Sequence, residues 1–136
     1  MLKRVNEIIP ERYNFCHLAY SQHYTLQFGG FTISSQQEPQ QGDPLGGLLF
    51  CLAIQPILSS LSSAQTVSFM DDITLGGHRG TVSSDVRLFR IEEAKLGLNL
   101  SVSKCEVISR DQRPFEGPIV GFTRINPSDA VLLVAP

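Results

Sequence analysis

The chain has 136 residues, 42% of them hydrophobic and 18% charged, which is enough apolar material for one core and too little chain for two. It reads as one domain, or part of one, spanning residues 1–136. Eleven Lys and Arg against thirteen Asp and Glu leave a net charge of −2, which disfavours a chain that grips nucleic acid by itself. Apolar runs such as Leu48 to Ile54 fall far short of the roughly 20 residues that cross a bilayer, and the opening Met-Leu-Lys-Arg-Val-Asn-Glu lacks the pattern of a secretory signal. An intracellular setting, nucleus or cytoplasm, is expected. Cys16, Cys51 and Cys105 form no CxxC pair and read as free, mostly buried thiols; His17, His23 and His78 lack the spacing of zinc ligands.

Met1, Leu2, Val5, Ile8 and Ile9 recur at steps of three and four, predicting a short amphipathic helix stopped by Pro10, which can open a second helix through Tyr20. Tyr24 to Phe28 and Phe31 to Ser34 are β-prone and flank Gly29-Gly30, the signature of a tight hairpin. Ser35 to Gln41 reads as a loop. Asp43-Pro44 then resembles a helix start, with Leu45, Leu48, Leu49 and Leu52 as its buried stripe and Pro56 expected to kink or shorten the far end. Thr66 to Met70 and Ile73 to Leu75 predict two strands meeting at Asp71-Asp72. A helix from Val82 to Leu96 follows, with Val82, Val86, Phe89 and Leu96 facing inward and Gly97 as its left-handed cap. Leu98 to Val102 and Cys105 to Ile108 predict strands.

Neighbouring residues of a regular strand point to opposite faces, so two adjacent aspartates can serve one site only where the chain turns. Asp71 and Asp72 occupy such a turn. Alone, the pair reads as a solvated acidic turn.

Four ordered blocks change that reading. They are Gln40-Gln-Gly-Asp-Pro-Leu-Gly-Gly-Leu-Leu-Phe50; Phe69-Met-Asp-Asp72 with Thr74-Leu-Gly-Gly77; Leu96-Gly-Leu98 with Ser103-Lys-Cys-Glu106; and Leu132-Leu-Val-Ala-Pro136. Together they resemble motifs B, C and D, and the approach to motif E, of the reverse transcriptase domain of non-LTR (LINE-like) retrotransposons. The resemblance implies an α+β fold, a partial polymerase palm with an antiparallel sheet packed on helices and a ferredoxin/RRM-like core. It implies an RNA-directed DNA polymerase whose two Mg²⁺ ions activate the primer 3′ hydroxyl and stabilise the leaving pyrophosphate. Its partners in the intact enzyme are a primer–template of RNA and DNA, and dNTPs. Asp71 would supply metal-binding oxygens, with Asp72 adding charge beside it. Gln41 and Gly42 match the loop against which the templating base pair and incoming nucleotide lie, although Gly42 reads equally as a plain loop glycine. Lys104 matches the lysine proposed to protonate pyrophosphate, and without the resemblance is a solvated charge.

The family's palm takes a further aspartate from motif A, whose strand lies upstream of the residues matched here. Asp43, Glu7 and Glu11 are not placed to replace it. Glu38, Pro39, Gly47, Ser101 and Val134 also depart from the family pattern. These 136 residues alone are therefore expected to bind Mg²⁺ weakly, to bind nucleic acid weakly or not at all, and to show no polymerase activity. An open sheet edge is expected where the motif A strand would pair, with self-association as a hazard. The alternative is a non-catalytic retroelement remnant, or a domesticated module that uses this edge to bind protein.

Overall fold

A computed structural model describes residues 1–22, 24–35 and 44–130. The loop residues Gln41 and Gly42, the expected cap Asp43 and the block ending at Pro136 lie outside them. The chain is mixed helix and strand with small antiparallel sheets, compatible with an α+β class. It divides into two compact units, Met1–Pro56 and Ile57–Pro136. Among the described residues no helix is long and apolar enough to cross a membrane.

The first unit opens with α1 (Leu2–Ile8), a single 3-10 turn at Pro10–Arg12 and α2 (Tyr13–Tyr20). Pro10 starts the turn, where its missing N–H removes no helical bond. β1 (Tyr24–Phe28) and β2 (Phe31–Ser35) pair antiparallel, Phe28 opposite Phe31. The link is Gly29-Gly30, with φ of 53° and 90°, a left-handed pair that residues with a Cβ resist. α3 (Gly46–Ser59) follows. Val5 of α1, Cys16 of α2 and Leu49 of α3 form the core, within 1% of complete burial, and Leu2, Ile9, Tyr13, Tyr20, Leu45 and Leu52 pack around them.

Several expectations for this part are corrected. Leu48 stands at the edge of the α3 stripe and is 46% exposed. Pro56 lies inside α3, which ends three residues beyond it at Ser59, and Ile54 and Ile57 on either side of the proline are buried. Of the three free thiols only Cys16 is buried, because Cys51 sits about 200° around α3 from Leu49, facing away from the core, and Cys105 is half-buried.

The second unit holds β3 (Gln65–Phe69), β4 (Asp72–Gly76), α4 (Arg79–Lys95), β5 (Glu106–Ile108) and β6 (Thr123–Ile125). β3 and β4 pair antiparallel, whereas β5 and β6 pair parallel, Glu106 opposite Thr123. Among the described residues the strands thus form three two-stranded ladders, not one antiparallel sheet. Residues 109–122 make the crossover that a parallel pair requires, and its short 3-10 turn, Gly117–Ile119, packs on α4.

α4 ends as predicted, with Gly97 at φ 78° just beyond it. Its buried positions are nevertheless Asp85, Phe89 and Glu93, one face at steps of four, while Leu96 is 45% exposed. The strand expected over Leu98 to Val102 is absent. The N–H of Leu98 donates to the Glu93 carbonyl at 3.0 Å and that of Leu100 to Glu93 Oε1 at 2.9 Å, so neither is available for a ladder. Val102–Lys104 is a 3-10 turn instead.

Candidate functional site

The β3–β4 hairpin carries the acid pair. Phe69 pairs with Asp72, leaving Met70 and Asp71 as a two-residue turn. Asp71 sits in the turn and Asp72 is the first residue of β4, so the two carboxylates crown the paired strands, and both are exposed. Cross-strand partners share a face, which puts Asp72 beside Phe69 and, two residues further down, Val67 beside Thr74.

Met70 has φ 55°, and it is the one residue other than glycine with a positive φ among the described residues. Glycine is favoured at the first position of such turns because a side chain there is strained, at a cost of about 1–3 kcal/mol. Here the strain falls on the residue that precedes Asp71 in the turn.

The root of the hairpin is fixed on both sides. At its entry, Asp85 of α4 accepts the Ser62 N–H at 2.9 Å and both the N–H and the hydroxyl of Ser63 at 2.6 Å, all on Oδ2. Burial raises the Asp85 pKa, but the Ser63 hydroxyl and the two backbone N–H donors outweigh it and hold the carboxyl below its ordinary value. At the exit, Gly77 has φ 147°, and a Cβ there would stand 3.1 Å from the Ala64 nitrogen. His78 then caps α4, its Nδ1 accepting the Gly80 N–H at 3.3 Å.

Arg79, in the first turn of α4, reaches the crossover loop. Its Nη1 donates to Asp111 Oδ2 at 3.0 Å and its Nη2 to the Pro114 carbonyl. Arg113 grips the same carboxylate with Nε, at 3.0 and 2.8 Å, and with Nη2 at 2.7 Å. Arg124 donates to the carbonyls of Asp111 and Arg113 and stacks on the Phe115 ring, 4.2 Å from its centroid. The Arg113 hydrogen bonds, with Arg79 adding another, drive the Asp111 pKa far down.

Among the described residues, neither the Asp71 nor the Asp72 carboxylate has a hydrogen-bond or ion-pair partner, and no group of three or more His, Cys, Asp or Glu side chains could hold a metal ion. Two unpaired, exposed carboxylates on one turn are the oxygen donors that a hard divalent cation takes, so the chemistry of the pair suits Mg²⁺. Lys104 is exposed at the end of its 3-10 turn, and no hydrogen bond or ion pair joins it to either acid.

Sequence reasoning missed Asp85, Glu93 and the arginines around Asp111. The recoverable signal for the first two was the Asp85, Phe89, Glu93 spacing, which keeps two acids on the face of a large aromatic. Comparison with protein-family models, with curated proteins and with solved structures finds no match.

Proposed function

We propose that the chain carries the acid-turn part of a polymerase palm, from an RNA-directed DNA polymerase of the non-LTR retrotransposon kind working inside the cell. The observation that carries this reading is the strained two-residue turn presenting Asp71 and Asp72 without partners. A bound divalent cation supplies Lewis acidity, making a primer hydroxyl a better nucleophile and neutralising phosphate charge. Asp71 would hold it, and Asp72 would add negative charge beside it. Asp85 and Gly77 fix the hairpin root, so the turn does not have to be ordered when the cation arrives. Lys104, Gln41 and Gly42 keep the roles the resemblance implies, proton donor and nucleotide-facing loop.

A specific observation supports the second reading, a non-catalytic module. Val67 and Phe69 are 52% and 65% exposed on a strand that pairs, among the described residues, only with β4. An uncharged edge of this kind invites pairing with another chain.

Paramagnetic broadening by Mn²⁺ tests the first reading. Amides from Met70 to Ile73 are expected to broaden first, and Asp71→Asn to abolish the effect; broadening no stronger than at the exposed Asp129 would sink the proposal. Primer extension by these residues is expected to stay at the level of Asp71→Ala. The coding DNA upstream of Met1 separates enzyme from remnant, since an in-frame Asp-bearing strand favours the first and stop codons the second.

A further inference from the structure

Five of the chain's eight arginines stand on or against one short segment, residues 109–117, or brace it from β6. Arg79, Arg113 and Arg124 shape the loop through Asp111 and the backbone carbonyls described above. Arg110 adjoins Asp111, and Arg87 of α4 brings its Nη2 to 3.8 Å from where a Cβ would stand on Gly117. Against these five guanidiniums the segment offers two carboxylates, Asp111 and Glu116. The Asp111 carboxylate is already filled, its Oδ1 taking the N–H and Nε of Arg113 and its Oδ2 taking donors from both Arg79 and Arg113. Arg87 and Arg110 are exposed and have no hydrogen-bond or ion-pair partner among the described residues. A chain with a net charge of −2 thus concentrates a positive surplus at one place.

We infer that this arginine loop is a phosphate-anchoring surface. Guanidinium is planar, permanently charged and matched to the paired oxygens of phosphate. Arg79, Arg113 and Arg124 fix the loop, and the exposed Arg87 and Arg110 beside it remain available to bind. The phosphate can belong to the backbone of a nucleic-acid strand or to a free polyphosphate. The surface uses none of the acid hairpin's residues, so its failure and that of the polymerase reading are separate results.

The test uses the whole chain and three probes: a fluorescent oligothymidylate, inorganic tripolyphosphate and polyglutamate. The double variant Arg87→Gln, Arg110→Gln removes the two guanidiniums that brace nothing, so the loop keeps its shape. Lys3→Gln with Arg12→Gln removes the same charge from the first unit and serves as control. Oligothymidylate binding is expected to weaken about tenfold in the arginine variant and less than about twofold in the control, and to fall steeply between about 50 and 200 mM salt. Tripolyphosphate binding with the same arginine dependence, and no oligothymidylate binding, supports the surface with free polyphosphate as its ligand; binding of the oligonucleotide assigns it to a strand. Equal losses in the two variants, binding of neither phosphate probe, or displacement by polyglutamate at equal charge concentration overturns the inference.

Discussion

The Asp85 carboxylate of α4 takes the Ser63 hydroxyl and the Ser63 N–H, each at 2.6 Å, on a single oxygen. That contact ties α4 to the residues that lead into β3. Removing the acid strands the Ser62 and Ser63 N–H groups next to a buried helix face, so Asp85→Ala is expected to lower stability by about 3 kcal/mol. Asp85→Asn retains an acceptor oxygen and should lose about half as much, and Ser63→Ala about 1 kcal/mol. Urea unfolding with an unchanged slope measures all three; equal midpoints for Asp85→Ala and the parent chain would show that the contact carries no stability.

Acid should act through the same group and through Asp111. Both carboxyls titrate below their ordinary value of 3.8 in the folded chain. The unfolded chain therefore takes up these protons first as pH falls, and the stabilisation, complete above about pH 4, fades below it. Stability measured from pH 5 downward is expected to drop, with a shallower slope in Asp85→Asn and in Asp111→Asn. An unchanged slope in both variants would place the acid sensitivity elsewhere.

Local chemistry made the hairpins legible. Gly29-Gly30 and the acid pair each interrupt a β-prone run, and two-residue links leave a single register available. Gly97 marked the end of α4 for a similarly local reason. The inward face of α4 was hidden because Asp85 and Glu93 are charged, and charge reads as solvent; their partners, the N–H groups of Ser62, Ser63 and Leu100, are assigned only once the chain has folded. The parallel β5–β6 pair was invisible for a related reason. Its crossover of residues 109–122 is held by arginine contacts to carbonyls, which leave no periodic trace in the sequence.

Met70 offers a test of strain at the acid turn. At φ 55° a β-branched side chain clashes with its own backbone, while glycine is relieved of the strain but gains freedom in the unfolded chain. Met70→Ile is expected to destabilise the chain by about 1–2 kcal/mol, and Met70→Gly to equal or exceed the parent. If isoleucine is tolerated as well as glycine, the turn is not strained at this residue.

Gly77 joins the acid hairpin to α4 where the backbone runs close to Ala64. Two penalties fall on any side chain there: φ is 147°, and a Cβ would lie 3.1 Å from the Ala64 nitrogen and 3.4 Å from its Cβ. Ala64 leads directly into β3, next to the Ser63 held by Asp85, so it cannot withdraw without loosening that contact. Gly77→Ala is therefore expected to cost about 2–3 kcal/mol, against less than about 1 kcal/mol for alanine at the helical Gly80, where a Cβ meets only the His78 ring at 3.4 Å. Hydrogen exchange distinguishes the cause: in Gly77→Ala the Ser62 and Ser63 amides should lose protection together with those of β3. Retained protection at Ser63 would mean that the hairpin root shifts without disturbing the α4 contact.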